Sequence, residues 1–342
     1  MKIIYIFYVL LFLFCVLFTI ERFCRWQEKT FLEILRKEWF EDVTRFPVKD
    51  FQCKVNCEKY NQLVSDGYDV MKGKRLIIAG LCINIEKKAD ILRKRIEHLG
   101  SFFDDYKCVI FENDSSDKTR AILKNFANEN PNIILLDCPE STECKLKTKS
   151  AVKDGVVSAN RMKKMANYRN RLITHIQENY SDYDCVCFLD LDIKGPISID
   201  GVAHTFGNYG AWDSVSAFGI TGVSFLLGHQ IYYDVLAFND GDLVFDEQNV
   251  WLNAAFVVKR LNKCKIGDDL IPVLSGFCGM AFYTMDVINS GVDYTPKDGV
   301  FKCEHLIFHD NMRNKNFSNI FLNPNMVLLA GAQGDSSVFL NH

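Results

Sequence analysis

The chain has 342 residues, 48 % of them hydrophobic and 24 % charged, which excludes a disordered polymer and leaves room for one large α/β domain or two fused halves. A net charge of −3 excludes a nucleic-acid binder that depends on a large basic surface.

Met1 and Lys2 precede an unbroken apolar run over residues 3–20, closed sharply by Glu21, Arg22 and Arg25. A helix of that length spans about 27 Å, close to the hydrocarbon thickness of a bilayer. Residues 1–20 are therefore expected to form a retained transmembrane anchor, making the protein single-pass. A cleaved signal peptide is the rival; it needs a shorter core and small residues at a cleavage site, and none stand near residues 19–23. Basic residues flank both ends, so the side facing the rest of the chain stays open. Residues 21–73 read as a stem. Helical apolar spacing at Phe31, Leu32, Leu35 and Trp39 is followed by connecting structure around Pro47, Gly67 and Gly73. The thirteen cysteines contain no CxxC pair. Cys53 with Cys57, or Cys138 with Cys144, are disulfide candidates, and Cys185 and Cys187 alternate on one face of a strand as buried thiols.

From residue 74 the pattern changes to a domain expected to run to residue 342. Apolar strands are expected at 75–81, 107–111, 133–136 and 185–189. Helices are expected at 86–99, 117–129 and 160–178, and a polar stretch separates the third strand from the long helix. Strands alternating with helices predict a parallel sheet covered on both faces, with ligands beyond the carboxyl ends of the strands. That edge collects Gly80, Glu112 to Asp114, and Asp190 to Asp192. Shorter strands at 215–218, 222–227, 231–238 and 281–284 predict a mixed sheet in the second half, residues 193–342.

The sharpest motif is CVCFLDLDIKG. A buried strand delivers Asp190 and Asp192, whose spacing of two puts both carboxylates on one side of an extended backbone. Two facing carboxylates repel unless a cation neutralises them. Hard oxygen ligands suit Mg²⁺ or Mn²⁺, which also bind a diphosphate. In FENDSSDKT, Glu112 and Asp114 offer acceptors to a nucleotide, while Ser116 or Asp117 caps the next helix. The helix ANRMKKMANYRNRL carries Arg161, Lys164, Arg169 and Arg171, and a loop with Lys145, Lys147 and Lys149 precedes it. A guanidinium there suits a diphosphate. KCEHLIFHDN supplies Glu304 as a candidate acid–base group. His305 and His309 share one helical face, and either is a candidate to complete the cation's coordination. Ser275, Gly276 and Gly279 in PVLSGFCGMAFY allow close backbone approach to a ligand. No P-loop, GxGxxG or GxSxG motif is present, which weighs against NTPases, dinucleotide enzymes and α/β-hydrolases.

Taken in order over residues 74–325, LIIAGLCINIE, IFENDSSDKT, ANYRNRL, FLDLDIKG, SGFCGMAFY and CEHLIFH resemble the GT-A transferases related to fungal capsule-associated mannosyltransferases, the Cap59 type, and their relatives in large DNA viruses. The resemblance implies a Rossmann-like, mostly parallel sheet (residues 74–192) fused to a mixed acceptor-side sheet. It also implies a nucleotide-sugar donor such as a UDP- or GDP-sugar, a divalent cation, and a glycan or glycoprotein acceptor. Position by position, Gly80 lies against the nucleotide, Glu112 and Asp114 contact base and ribose, and Arg169 approaches the diphosphate. Asp190 and Asp192 hold the metal, with Asp192 placed to act in the reaction, and His309 is a further metal ligand. Glu304 falls where many such enzymes keep an acceptor-side carboxylate, but it is followed here by His305 and not by a second acid. A catalytically silent glycan- or partner-binding protein on the same scaffold is the alternative. A nucleotidyltransferase is a third reading, weakened by the lack of a Gly-rich basic loop after the first strand.

Overall fold

In the computed structural model, residues 31–137, 152–153, 156–157, 159–223, 230–242, 250–297, 299 and 302–331 are described, together with Phe12, Cys15, Val16 and Thr19. Helices are α1 (Phe31–Leu35), α2 (Cys57–Met71), α3 (Ala89–Gly100), α4 (Thr119–Glu129), α5 (Ala159–Tyr180), α6 (Ile199–Gly207), α7 (Val250–Leu261), α8 (Met285–Asn289) and α9 (Glu304–Arg313). Strands are β1 (Arg75–Cys82), β2 (Asp105–Glu112), β3 (Ile133–Asp137), β4 (Val152–Lys153), β5 (Val156–Val157), β6 (Cys185–Leu189), β7 (Ser214–Val223), β8 (Gln230–Tyr232), β9 (Ile271–Pro272), β10 (Met280–Thr284) and β11 (Ile320–Leu329).

β1, β2 and β6 are near-continuous apolar runs because both of their faces are covered. They pair in parallel, with β3 outside β2. The main sheet runs β3-β2-β1-β6-β10-β7-β11-β9, with β8 on β7. β10 is antiparallel to both β6 and β7, so the mixed half begins immediately beside the last parallel strand. Strand order reverses at β1: the chain builds outward to β3, then returns to place β6 on the other side. That reversal opens a crevice at the carboxyl ends of β1 and β6.

Alternate residues feed two cores. Ile77, Ala79, Val109, Phe111, Val186 and Phe188 pack with Leu172 and Ile176 of α5. Leu76, Ile78, Cys108, Ile110, Cys185 and Cys187 pack with Leu92 and Ile96 of α3 and Phe206 of α6. Cys185 and Cys187 are thus buried free thiols, as their alternation predicts. Cys53 and Cys57 form a disulfide. Cys138 and Cys144 lie outside the described residues.

Several expectations are corrected. The strand expected at 222–227 is, as far as it is described, the end of the long β7. Of the run 231–238 only residues 231 and 232 pair as a strand, in β8, because Asp234 takes a left-handed φ of 54° and turns the chain. β11 is a full partner of β7 that sequence reading missed. Among the described residues no helix is long and apolar enough to cross a membrane. The anchor expected over residues 1–20 lies outside the described residues except Phe12, Cys15, Val16 and Thr19, which are helical.

Part of the expected stem is structural. α2 packs along α6 so closely that a Cβ on Gly67 comes within 1.7 Å of the Ala203 carbonyl oxygen, and one on Gly207 within 2.1 Å of that of Leu63. Tyr68 Oη donates to Asp200 Oδ1 at 2.8 Å across the same seam. Gly67→Ala therefore forces the two helices apart. Its expected cost is about 1–3 kcal/mol from overpacking, read as a lower denaturation midpoint. Gly73→Ala, whose added Cβ finds nothing nearer than 3.7 Å, serves as the neutral control.

Candidate functional site

β6 is wholly buried and ends at Leu189, so the next residue emerges at the crevice with its direction fixed by the sheet. The Asp190 amide continues the β6–β10 ladder by donating to the Gly279 carbonyl at 2.8 Å. Its side chain is held from two sides: Arg169 Nη2 lies 3.6 Å from Oδ1, and Tyr233 Oη donates to Oδ2 at 2.9 Å. Burial pushes the Asp190 carboxyl up to about 7, with Arg169 pulling down and the nearby charges of Asp192 and Glu304 pushing up.

After Asp190 the chain turns, so Asp192 does not follow it along an extended strand. Leu191 enters the core and the Asp192 side chain is left 41 % exposed. Two cations pin this segment from the α3 side. Lys88 Nζ donates to the Asp192 carbonyl at 2.7 Å and sits 3.9 Å from its carboxylate. Arg95 Nη2 donates to the carbonyls of Ile193 and Gly195 at 2.8 and 2.9 Å. Arg95 is fully enclosed, and burial lowers its guanidinium to about 10.

Arg169 is 3 % exposed, so it does not project toward a diphosphate. Its Nε donates to Glu304 Oε1 at 3.1 Å, and its guanidinium lies 5.0 Å from the Phe277 ring centroid and 5.9 Å from that of Tyr294. Glu304, the expected acceptor-side carboxylate, is correspondingly buried as the counter-ion of Arg169. The resulting line Glu304–Arg169–Asp190–Tyr233 joins α9, α5, the end of β6 and the turn after β8.

Other expected roles change as well. His309 is a core residue and not a metal ligand. Its Nδ1 lies 3.0 Å from Ser275 Oγ and 2.9 Å from the His305 carbonyl, while Nε2 lies 3.3 Å from Tyr283 Oη and 3.4 Å from Ser214 Oγ. Burial drives it down to about 3, so it stays neutral with its nitrogens engaged. His305 stacks on Phe277 at 3.8 Å between centroids and is likewise held neutral by burial. Gly80 faces Leu189 and Leu191, not a ligand: an added Cβ falls 2.4 Å from the Leu189 carbonyl oxygen. Gly276 and Gly279 similarly clear space for Ser216 and Tyr233.

Glu112 is fully buried. Its oxygens accept from the Ser115 amide at 2.6 Å and from Arg120 Nε at 2.7 Å, so it holds the loop after β2 in shape. Asn84 ties this loop to the one after β1, its amide donating to Ser115 Oγ and its Oδ1 accepting from the Ser116 amide. Asp114, with a left-handed φ of 52°, is the exposed carboxylate at its rim, and beside it the buried Asn113 Oδ1 has no hydrogen-bond partner. Asp117, one of the two expected caps, accepts from the Thr119 amide at 2.9 Å. The loop bearing Lys145, Lys147 and Lys149 lies outside the described residues.

Tyr233, Asp234, Lys88, Arg95 and Phe277 belong to the site and were not read from sequence. The one available signal was Asp234, an acid inside an otherwise apolar run. Burial, together with Asp190 and Glu304, pushes its carboxyl up to about 8. Among the described residues no group of three or more His, Cys, Asp or Glu side chains assembles a metal site.

Because the Asp190 carboxyl titrates near 7 in the folded chain and near 4 unfolded, folding takes up a proton between those values. Its stabilising share is full below about pH 4 and is lost as pH rises toward about 7. Asp190→Asn keeps a neutral group there. In chelator, its melting temperature is expected to gain on the wild type progressively across that window and to stay level above it. Parallel pH-dependent thermal melts check this, and a constant difference between the two proteins refutes it.

Residues 75–316 match the family described as Cryptococcal mannosyltransferase 1. No curated protein sequence matches the chain. Among solved structures, S. aureus TarS 1–349 in complex with UDP-GlcNAc has a TM-score of 0.44 and 13 % identity over 77 % of this chain and 61 % of that one. The Pyrobaculum calidifontis mannosyltransferase PcManGT in complex with GDP-Man and Mn²⁺ has a TM-score of 0.43 and 11 % identity over 82 % and 68 %. Mycobacterium tuberculosis glucosyl-3-phosphoglycerate synthase in complex with Mn²⁺, UDP and phosphoglyceric acid has a TM-score of 0.42 and 15 % identity over 79 % and 74 %. The chain spans 35 % to 61 % of the length of the three TarS structures that head these matches. These loose overlaps carry no functional weight. The match over residues 75–316 does: with its buried parallel strands ending in Asp190, the chain belongs to the Cryptococcal mannosyltransferase 1 family of glycosyltransferases.

Proposed function

We propose that the chain transfers a sugar from a nucleoside-diphosphate sugar to a hydroxyl group of a glycan or glycoconjugate, using a divalent cation, Mn²⁺ or Mg²⁺, held by Asp190 and Asp192. The observation that carries this reading is the placement of those two carboxylates. In a glycosyltransferase-family chain, one is locked and one exposed at the crevice where strand order reverses. They also fit a cation chemically. A partly buried carboxyl raised to about 7 is one that a dication ionises fully, and the Lys88 ammonium is already drawn to Asp192.

When bound, the cation supplies electrostatic stabilisation of the departing diphosphate. The protein's own residues do the rest. Arg169 and Tyr233 fix Asp190. Lys88 and Arg95 hold the backbone on which Asp192 is presented. Asp114 offers an acceptor to the nucleoside at the rim of the β2 loop. Glu304 is occupied by Arg169, so it is not free to take an acceptor's proton. The N-terminal apolar run tethers this activity to a membrane.

The test is release of free nucleoside diphosphate by the full chain from a panel of UDP- and GDP-sugars, with Mn²⁺ or with EDTA. Cation-dependent release from one donor is expected. Because a bound metal provides several kcal/mol of transition-state stabilisation, Asp192→Asn should lower that rate by at least about a hundredfold. It should leave the melting temperature nearly unchanged, since the side chain is partly exposed. A folded wild type that neither binds nor cleaves any donor defeats the transferase reading and leaves the silent binding scaffold.

A further inference from the structure

We infer that Tyr233 is a positioning residue for the cation site, setting the orientation in which the Asp190 carboxylate is presented. The inference rests on the proposed cation role of Asp190 for one of its two tests and on geometry alone for the other.

The geometry is a closed triangle. The Tyr233 hydroxyl donates to Asp190 Oδ2 at 2.9 Å. Gly279 accepts the Asp190 amide at 2.8 Å. The Tyr233 ring lies directly on Gly279: a Cβ there falls 2.9 Å from Cε1 and 3.1 Å from Cδ1 of the ring. Gly279 has a φ of +82° and follows Cys278 at +55°, so the chain adopts two left-handed residues in succession where the ring passes. On the other side, the Tyr233 amide donates to the Gly219 carbonyl at 2.9 Å, and a Cβ on Gly219 falls 3.0 Å from Tyr233 Cβ. Gly279 is therefore cleared for the ring and Gly219 for the Tyr233 Cβ and the Cys278 carbonyl, and the ring's hydroxyl reaches the carboxylate that β6 delivers.

The arrangement leaves Asp190 little rotational choice. Oδ1 faces Arg169 at 3.6 Å and Oδ2 is bonded to Tyr233, so the carboxylate plane is fixed before any ligand arrives. Partners that orient a metal-binding carboxylate in this way typically contribute strongly to metal affinity, since without them the ligand pays its ordering entropy on binding. Arg169 sits on α5 and is needed to neutralise Glu304, so its loss disturbs more than Asp190. The hydroxyl of Tyr233 can be removed alone, because the ring remains in its slot.

The test is Tyr233→Phe in the full chain, read by two measurements that need no turnover. Electron paramagnetic resonance of free Mn²⁺ during titration, without any sugar nucleotide, gives the cation affinity. Crystal structures of wild type and variant in chelator give the Asp190 rotamer. We expect an unchanged fold, an Asp190 carboxylate released from its position beside residue 233, and Mn²⁺ affinity lowered on the order of tenfold. Wild-type affinity in the variant overturns the inference. A wild type that binds no Mn²⁺ defeats the proposed cation instead. In that event the rotamer decides: an Asp190 that stays in place without the hydroxyl overturns the role of Tyr233, and one that moves upholds it.

Discussion

The site is organised around one buried charge. Arg169 arrives on α5 between two aromatic rings and must be neutralised where water does not reach it. Glu304 at the start of α9 and Asp190 at the end of β6 do this together. Removing the guanidinium leaves Glu304 buried without its counter-ion, and removing Glu304 leaves the cation without the acid bonded to it. The position of Asp190 thus depends on the packing of α5 and α9 against the same face of the sheet. An apparently local strand-end motif is held by elements 21 residues before it and 114 after it in the chain, as the numbering of Arg169, Asp190 and Glu304 shows.

The sheet explains why these elements meet. β10 runs antiparallel beside β6, so its first residues return to the carboxyl end of the parallel half and bring Gly279 to Asp190. β7 and β8 then set Tyr233 over Gly279. The parallel half provides the crevice, and the mixed half provides the groups that fix what stands in it. The loops after β1 and β2 close the other wall by bonding to each other through Asn84, Ser115 and Ser116.

The strands β1, β2 and β6 were legible in sequence because a strand buried on both faces is a near-continuous apolar run, and a run ending in two acids announces an edge where charge is wanted. Other features were hidden for identifiable reasons. β11 contains Asn323, Pro324 and Asn325, residues that read as a turn. They sit inside a strand because both asparagine side chains find buried partners on Gly201, Thr205 and Asp268, and because the register shifts between Leu322 and Val327. Helical spacing put His305 and His309 on one face correctly but does not say whether that face looks into a cleft or a core. Gly80 and Gly279 announced close approach, yet the approaching group is a leucine pair in one case and a tyrosine in the other. Tyr233 itself carries no signal, because its role exists only through contacts with residues 43 and 46 positions away, Asp190 and Gly279.

Charge balance in the crevice connects the fold to the proposed cation. Asp190, Asp234 and Glu304 gather around Arg169 and Asp192 stands beside Asp190, with Lys88 at the margin and Arg95 committed to backbone carbonyls. The acids outnumber the cations, although the chain as a whole is nearly neutral. Burial, with the neighbouring acids adding to it, raises the carboxyls of Asp190 to about 7 and of Asp234 to about 8, so the site without a cation holds protons. A dication and those protons compete for the same negative charge, so binding one releases the other. The cluster that makes the fold sensitive to pH is thereby the same cluster proposed to hold a metal carrying a diphosphate, and both depend on the buried guanidinium that assembles it.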